Sequence, residues 1–289
     1  MEYFDPKTNR YPYPEDTDKH YLSVKKNDGT VFDKNYPYVD TSRKMKNKMW
    51  WTRLLLNILV FPLTYIRLGL KVEGRKNLKK YKDVINKGVI SVCNHVHMWD
   101  YLAIMAGINP IKTHILAWAP NVRGENGKMM RAVGAIPVPE DDMEATFTYL
   151  KEIGKMLDNG GWLHIYAEGS MWEYYAPIRP FKRGAAYLAC ENDKPIIPLA
   201  FSYRKPTWFR KAIMKQLGRY TLHIGEPIYP DKSLPRTQQE IDLTIRAHKA
   251  VVALAGRDPE HPIYPDLFNH SKRVDYYTEK YGVNYKGSW

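Results

Sequence analysis

The sequence predicts an α/β fold, in which one largely parallel mixed sheet is flanked by helices and preceded by an amphipathic helical segment. Two observations support this prediction. From Lys71 onward, apolar runs of strand length alternate with stretches of helical periodicity, and such alternation is typical of parallel sheets. Before Lys71, a cluster of lysines, a pair of tryptophans and an apolar run follow one another. The length of 289 residues suits one large domain.

The individual elements follow from apolar patterning and from the residues that end helices. Strands are predicted over residues 88–94, 113–119, 135–138, 162–167, 195–203 and 220–228. Helices are predicted over residues 100–108, 126–135, 142–159, 184–192 and 238–256. Helix 142–159 has the clearest amphipathic pattern, with Asp141 or Asp142 near its N-cap and Gly160-Gly161 after its last turn.

Composition divides the chain into four segments. Residues 1–42 form a polar leader, 43–71 an amphipathic membrane-docking helix or helix pair, 72–256 the α/β domain, and 257–289 a Tyr/Pro-rich C-terminal tail. The leader has neither a basic start nor an apolar run, so we expect no secretory signal. A location on the cytoplasmic side of a membrane is therefore the default expectation.

Segment 43–71 is predicted to lie in a membrane interface. A basic patch and an aromatic pair precede its apolar part: Lys44, Lys46, Lys48, Trp50 and Trp51. The apolar stretch from Leu54 to Ile66 spans about 13 residues and contains Pro62, whereas a membrane-spanning helix needs about 20 residues. We therefore expect a helix, or a pair broken near Pro62, that docks as a peripheral or monotopic element on an anionic membrane surface. The alternative is an amphipathic helix packed on its own domain.

The charge balance points to anionic partners. The formal net charge is +13, from 44 Lys+Arg against 31 Asp+Glu. Nucleic acid, anionic lipid and phosphorylated substrates all fit such an excess. A nucleic-acid surface would interleave Lys/Arg with exposed aromatic residues on one face, whereas here the basic residues are dispersed apart from the cluster beside the apolar segment. We therefore expect no nucleic-acid partner.

The stretch "SVCNHVHMWDYL", residues 91–102, holds the first candidate catalytic residues. The spacing of His95 and Asp100 recurs at His261–Asp266 and His270–Asp275, but only the first pair follows a predicted strand, where α/β domains place ligands. Five positions apart on one helix, the two side chains would lie about 140° apart. They can therefore meet only if His95 lies in a turn, where Asn94 can serve as a turn or cap residue, and Asp100 lies in the following helix.

Three chemical roles are open for this stretch. His95 could act as a general base whose second ring nitrogen is held by Asp100. His97 could be the base instead, or a pocket wall or hydrogen-bond donor. His95, His97 and Asp100 could also begin the ligand set of a metal-dependent hydrolase. Further histidines that such a set needs are isolated along the chain: His114, His164, His223 and His248.

A second group of candidates follows the strand predicted over 162–167. Glu168-Gly169-Ser170 combines a carboxylate, a glycine and a hydroxyl at the end of this strand. Three cations, Arg179, Lys182 and Arg183, then precede a predicted helix whose N-terminus also favours anions. The buried strand "KPIIPLAF" follows, with Pro198 inside it.

In this order, these pieces resemble the glycerolipid acyltransferase family, the 1-acylglycerol-3-phosphate acyltransferases and their relatives. Asn94-His95 to Asp100 matches the family's first motif, Asn-His-x-x-x-x-Asp, and residues 134–138 resemble its second block. Glu168-Gly169-Ser170 matches the Glu-Gly-Thr/Ser block, and residues 181–185 match the continuation of that block. Ile197-Pro198 matches the last block. Residues 72–78 resemble the strand that often precedes the first motif. The resemblance covers about residues 50–230.

The resemblance implies phospholipid biosynthesis by O-acyl transfer. The acyl group would move from a thioester, acyl-CoA or acyl-carrier protein, to the hydroxyl of a lysophospholipid, foremost 1-acylglycerol 3-phosphate. His95 would take the hydroxyl proton, Asp100 would hold the imidazole, and backbone N–H groups near the first motif or at Gly169 could stabilise the oxyanion. Since a thioester is already activated, no cofactor, metal or protein nucleophile is required. The expected substrate-binding residues are Asn94, Glu168, Gly169, Ser170, Arg179, Lys182 and Arg183.

Departures from the family pattern concern the acceptor. The second block continues with the acidic "VPEDD", and Met171 follows Ser170, so two arginines that the family uses on the acceptor's phosphate are absent. Alternative acceptors are therefore another lysolipid, glycerol 3-phosphate, or an amino-lipid or glycolipid hydroxyl. Lys182 is the foremost replacement cation, since the family pattern also has a lysine there. Alternatively, Lys182 pairs with Glu168 and organises the pocket.

Overall fold

The computed structural model describes residues 27–140, 142–172, 178–214, 216 and 218–256. The predicted tail 257–289, most of the predicted leader, and the candidate cap Asp141 lie outside these ranges. In the described part, seven strands form one sheet: β1 (Lys71–Glu73), β2 (Val89–Val92), β3 (Thr113–Ala117), β4 (Ala135–Pro137), β5 (Trp162–Ile165), β6 (Ile196–Arg204) and β7 (Arg219–Ile224). The helices are α1 (Arg43–Leu55), α2 (Phe61–Leu68), α3 (Arg75–Lys80), α4 (Lys82–Ile85), α5 (Asp100–Gly107), α6 (Ala119–Arg123), α7 (Gly127–Ala132), α8 (Met143–Asp158), α9 (Gly184–Glu191), α10 (Trp208–Ala212) and α11 (Arg236–Leu254).

The predicted fold class is confirmed. The strand order is β1-β7-β6-β2-β5-β3-β4, and every neighbouring pair is parallel except β6 and β7. Successive residues of the central strands point to opposite faces of the sheet and so belong to different core clusters. Ile90 and Val92 pack on one face, and Val89 and Cys93 pack on the other. Helices cover both faces, which explains why the central strands read as continuous apolar runs.

Element boundaries differ from the predicted ones where proline or glycine intervenes. The predicted strand 113–119 ends at Ala117, because α6 begins at Ala119 with a proline in its first turn. The predicted strand 220–228 ends at Ile224, just before Gly225. Helix α8 agrees with its prediction, since the Asp142 side chain accepts a hydrogen bond from the Ala145 N–H at 3.0 Å.

Segment 43–68 forms one continuous helical run rather than a broken pair. A π-helical turn, Leu56–Val60, joins α1 to α2, and Pro62 lies in the first turn of α2. Proline is tolerated there because the π turn shifts the hydrogen-bond pattern that its ring and its missing N–H would otherwise disrupt. The run has 26 residues, which by length and composition alone is enough to cross a membrane.

This run lies along the surface of the domain. Arg53 donates to the Asn109 side chain and to the Ile111 carbonyl, both at 2.9 Å. Leu56, Phe61 and Leu68 are buried. The opposite side is apolar and open, with eight exposed side chains: Trp50, Trp51, Leu54, Leu55, Ile58, Leu59, Leu63 and Ile66. The helix therefore combines a face packed on the domain with an unpartnered apolar face.

Candidate active site

The strand order brings the two candidate motifs together at the edge of the sheet that is formed by the carboxyl ends of its parallel strands. Strand β2 leads into His95 and strand β5 leads into Glu168. The two strands are parallel neighbours, with Ser91 opposite His164. Their carboxyl ends therefore open onto the same place, although about seventy residues separate the motifs along the chain.

His95 and Asp100 meet as the sequence predicts. The His95 Nδ1 lies 2.7 Å from the Asp100 Oδ2. His95 is in the turn after β2, and Asp100 is the first residue of α5. The His95 side chain is 24% exposed, whereas Asp100 is only 1% exposed. Since Nδ1 faces the carboxylate, Nε2 is the ring nitrogen directed away from it and available to a substrate hydroxyl.

Asp100 is held as a carboxylate. Burial alone would raise its pKa, but His95 and hydrogen bonds from His95, Tyr166 and the Val96 N–H together lower the pKa below its usual value. The Asp100 Oδ2 also accepts from the N–H groups of Val96 and His97 at 3.0 and 3.3 Å. An ionised Asp100 can fix the imidazole tautomer and stabilise the imidazolium.

Tyr166 is a member of this site that the sequence reasoning missed. Its hydroxyl donates to the Asp100 Oδ1 at 2.5 Å. Its ring stacks on the His95 ring, with centroids 3.8 Å apart and planes 7° from parallel. Burial raises the pKa of Tyr166 well above its usual value, so the phenol stays protonated and donates. In the sequence, it reads only as an apolar residue at the end of a strand.

His97 occupies a different environment from His95. Its side chain is buried, its Nδ1 accepts from the Trp99 N–H at 3.0 Å, and its ring meets Tyr220 edge-on. Burial lowers the pKa of His97 to about 4, so the ring is neutral near pH 7. This environment favours the expectation of a pocket wall or hydrogen-bond donor over that of a general base.

The metal-ligand interpretation finds no support in the described residues, among which no group of three or more His, Cys, Asp or Glu is placed to hold a metal ion. His164, a candidate further ligand, is fully buried with its Nδ1 2.9 Å from the Ser91 Oγ. Burial lowers the pKa of His164 to about 3. His223 lies instead beside Glu73 and Ser202, in the part of the sheet formed by β1, β7 and β6.

Glu168 is hydrogen-bonded to the turn that carries His95. Its carboxylate accepts from the His95 N–H at 3.1 Å, the Arg179 N–H at 2.8 Å and the Arg179 guanidinium at 2.9 Å. Arg179 also donates to the Ser170 Oγ at 2.9 Å, and its guanidinium stacks on Trp172. The Trp172 N–H donates to the His95 carbonyl at 3.0 Å. These bonds tie the two motifs together.

Glu168, Ser170 and Arg179 are held by hydrogen bonds within the protein, so we propose that they support the His95 turn rather than bind substrate directly. All three are at most 3% exposed, and each is bonded within the network. Glu168 also forms an ion pair with Arg179 at 2.9 Å.

Asn94 is held by the backbone of β6. It is fully buried, and its amide donates to the Phe201 carbonyl at 3.1 Å and accepts from the Phe201 N–H at 2.8 Å. The residue therefore joins the end of β2 to β6 instead of capping α5, whose N-cap is Trp99.

The backbone donors proposed for the oxyanion are already engaged. The Gly169 N–H donates to the Tyr166 carbonyl at 3.0 Å. The N–H groups of His95, Val96 and His97 donate to the Glu168 and Asp100 carboxylates. In the described geometry these groups stabilise the two acids and the turn, so we propose this structural role for them in place of oxyanion binding.

Gly169, Lys182 and Arg183 remain at the surface of the site. Gly169 has a φ of +83°, and a Cβ there would lie 2.7 Å from the Lys182 Cε. Glycine is required by this backbone conformation and by the lysine stem that crosses it. Lys182 is half-buried, and Arg183 is exposed at the N-cap of α9. These are the cations of the predicted set that the fold leaves beside the motif.

Comparison with known proteins agrees with the motifs. The family model described as Acyltransferase matches residues 69–202. A curated relative, a 1-acyl-sn-glycerol-3-phosphate acyltransferase from Cocos nucifera, is 21% identical over 197 residues, which cover 63% of this chain and 62% of the relative. The chain thus spans somewhat less than two thirds of that relative. A crystal structure of the 1-acyl-sn-glycerophosphate (LPA) acyltransferase PlsC from Thermotoga maritima has 17% sequence identity and a TM-score of 0.46, covering 76% of this chain and 86% of that one.

Proposed function

We propose that the chain, whose residues 69–202 match the family model described as Acyltransferase, is an O-acyltransferase of the glycerolipid family that uses His95 and Asp100 as its catalytic pair. The acyl group comes from a thioester, acyl-CoA or acyl-carrier protein, and goes to the hydroxyl of a lysophospholipid, foremost 1-acylglycerol 3-phosphate. The observation that carries the proposal is the 2.7 Å contact between a partly exposed imidazole and a buried carboxylate at a strand end. The catalytic domain is proposed to span residues 72–256.

The reaction follows from the orientation of His95. The Nε2 atom removes the proton of the acceptor hydroxyl while its oxygen attacks the thioester carbonyl carbon. When the tetrahedral intermediate collapses, the carbon–sulfur bond breaks and the imidazolium returns the proton to the thiolate. Asp100 stabilises the imidazolium throughout and stays ionised. Proton and electron pairs balance without any additional reactant.

Tyr166 is proposed as a positioning residue for this pair. Its ring supports one face of the His95 imidazole, and its hydroxyl orients the Asp100 carboxylate. Both partners of the catalytic contact are thereby restrained by one side chain, which keeps Nε2 directed toward the acceptor.

The acceptor is proposed to reach the site from an anionic membrane at the cytoplasmic face. The exposed apolar side of α1 and α2 and the basic start of α1 support this location. Because these helices pack along the domain, the proposal places them in the plane of the interface rather than across the bilayer.

An assay of acyl transfer tests the function directly. The purified protein is incubated with labelled acyl-CoA or acyl-carrier protein and with 1-acylglycerol 3-phosphate, other lysophospholipids, glycerol 3-phosphate and a dephosphorylated lysolipid, and the products are identified by mass spectrometry. His95→Ala and Asp100→Asn are expected to lower turnover by about 10² to 10⁴-fold, because each removes part of the general base. The double variant should be little slower than His95→Ala, since the two residues act as a unit.

The controls are His261→Ala and His270→Ala. Each replaces the histidine of a His–Asp pair that has the same spacing as His95 and Asp100 but lies outside the described residues. Both variants should turn over normally. Near-normal turnover of a folded His95→Ala variant would contradict the mechanism, and wild-type protein inactive toward all acceptors would contradict the function.

A further inference from the structure

A second exposed apolar group lies on α10, outside the segment that the sequence singled out. Trp208 is 79% exposed, Phe209 56% and Ile213 63%. The Thr207 side chain caps the helix by accepting from the Arg210 N–H at 3.4 Å, so the three apolar residues follow one another on an ordered turn. Exposed aromatic and aliphatic side chains this close together mark an interaction surface.

The charge around α10 favours an anionic partner. Between Lys205 and Arg219 the chain has no Asp or Glu, and its five cations are Lys205, Arg210, Lys211, Lys215 and Arg219. Segment 43–68 likewise has no acidic residue. Cations beside exposed tryptophan and other apolar side chains are the combination that binds the interface of an anionic bilayer.

Hydrogen bonds join α10 to the end of α2. The Arg210 guanidinium donates to the Ile66 carbonyl at 2.7 Å and to the Gln216 side chain at 2.9 Å. Arg204 donates to the Gly69 carbonyl at 2.5 Å. Ile66 and Leu63, near the end of α2, are themselves exposed. The apolar residues of α10 therefore lie beside those of α2.

The topology places this region at the edge of the sheet where the catalytic turn lies. Strands β2 and β6 are parallel, and α10 follows the carboxyl end of β6 just as His95 follows the carboxyl end of β2. Strand β1 begins three residues after α2 and, like β7, runs antiparallel to β6, so the end of α2 also lies at this edge. A membrane contact here would face the same side as the catalytic residues.

We propose that α10 is a second membrane anchor, whose Trp208, Phe209 and Ile213 enter the interface of an anionic bilayer beside α2. The inference rests on the proposed function and adds the orientation of the domain. A single interfacial helix leaves the domain able to roll about the helix axis. A second contact off that axis fixes the roll, so that the edge carrying His95 faces the lipid from which the acceptor comes.

Vesicle binding tests the anchor. Full-length wild type and the triple variant Trp208→Ala, Phe209→Ala, Ile213→Ala are sedimented with vesicles of phosphatidylcholine and phosphatidylglycerol. The variant should partition about tenfold more weakly or worse, because three exposed apolar side chains no longer enter the bilayer. Turnover of short-chain acceptor and donor that are monomeric in solution should be unchanged, which shows that the variant is folded. The matched control is Phe147→Ala, an equally exposed aromatic residue on α8 next to Glu144.

A second measurement reads the position of α10 itself. In a Cys190→Ala background, an environment-sensitive fluorophore attached to Trp208→Cys should shift to the blue on addition of the vesicles, whereas the same label at Phe147→Cys should not. Vesicle binding by the triple variant equal to that of wild type, or a label at position 208 that stays in water, would overturn the anchor. If wild type binds an oligonucleotide and the triple variant loses that binding to the same extent as vesicle binding, the surface belongs to nucleic acid and the proposed membrane anchor is overturned too.

The same experiment separates the anchor from the function it rests on. If the triple variant loses vesicle binding while wild type acylates no acceptor, the anchor stands and the proposed function fails. If wild type acylates soluble acceptors while the triple variant binds vesicles normally, the function stands and the anchor fails.

Discussion

At the residue scale, Tyr166 links the two residues of the proposed catalytic pair. It contacts His95 through its ring and Asp100 through its hydroxyl. The phenolic hydrogen bond helps to lower the pKa of Asp100, so without it the carboxylate would take up a proton at higher pH. Tyr166→Phe keeps the stacked ring and removes only this hydrogen bond.

We expect Tyr166→Phe to lower turnover on the order of tenfold, since hydrogen bonds to charged groups contribute about 1.5–3 kcal/mol. The acid limb of its pH–rate profile should move to higher pH, a shift that a purely structural role would not produce. The groups that face the pair, Glu168 and His97, are unchanged in the variant. Tyr101→Phe is the control, because the buried Tyr101 hydroxyl bonds to Thr113. An acid limb that stays in place in Tyr166→Phe would contradict the positioning role.

Lys182 is the second residue whose role can be isolated. Its stem crosses Gly169, and its charge lies just before the N-terminus of α9, where an anion is also favoured by the helix dipole. Methionine has a similar length and would keep the contact with Gly169. Lys182→Met therefore removes the charge with little change in packing.

If Lys182 meets the acceptor's phosphate, Lys182→Met should raise the acceptor KM about tenfold or more and leave kcat for a dephosphorylated acceptor unchanged. The kinetics with phosphorylated and dephosphorylated acceptors measure this difference. Lys232→Met, which removes an exposed cation paired with Asp193, is the control. Equal losses toward both acceptors would mean that Lys182 organises the pocket. A wild-type preference for the dephosphorylated lipid would also exclude phosphate recognition.

At the scale of the element, α1 and α2 combine a side packed on the domain with an exposed apolar side, and local sequence cannot tell which residues belong to which side. Arg53 and Leu56 hold the run on the domain, while the opposite side is open. The basic start of α1 is exposed at Lys44, Lys46 and Lys48, and Lys48 also donates to the Lys128 carbonyl at 3.2 Å. A helix fixed on the domain in this way suits an interfacial position.

Changing Lys44, Lys46 and Lys48 to Gln should weaken binding to anionic vesicles, because each lysine near such a surface contributes about 1 kcal/mol. The binding that persists should depend less on salt concentration, since fewer charges are screened. Sedimentation at several ionic strengths measures both effects, with Lys76, Lys79 and Lys82 changed to Gln as the control. Unchanged affinity and salt dependence would show that the start of α1 does not meet the membrane.

At the scale of the whole molecule, buried histidines link stability to pH. Burial lowers the pKa of His97 and His248 to about 4 and that of His164 to about 3. In the unfolded chain a histidine titrates near pH 6.5. The unfolded state therefore binds protons as the pH falls below about 6.5, whereas the folded state does not until about pH 4. The stability is fully present above pH 6.5 and is lost progressively on acidification.

Each such histidine should reduce the free energy of unfolding by about 1.4 kcal/mol per pH unit, and the three together by about 4 kcal/mol per unit, between about pH 6 and 4.5. Urea unfolding curves at several pH values measure this slope. His248→Gln removes one of the titrating groups and should lower the slope by about 1.4 kcal/mol per unit. The same slope in both proteins would contradict the assignment of His248.

The order of apolar runs and turn residues was enough to predict the α/β class, the ends of α8 and the meeting of His95 with Asp100. These features depend on residues close together in the chain: periodicity, a cap at Asp142, and a strand that runs into a turn. The membrane-docking character of segment 43–71 also follows from local composition, although its function stays a proposal. The sequence left open whether Pro62 breaks the helix, and the structure shows a continuous run in which a π turn at Leu56–Val60 accommodates it.

Partnerships between distant residues were decided only by the tertiary structure. The strand order sets β5 beside β2, and this alone brings Glu168 under the His95 turn and Tyr166 against the His95 ring. Burial then separates residues of the same chemical type: Arg179 neutralises Glu168 inside the domain, while Lys182 and Arg183 stay at the surface. A side chain's type is written in the sequence, but its charge partner and solvent exposure depend on contacts between segments far apart in the chain, which local patterns do not encode.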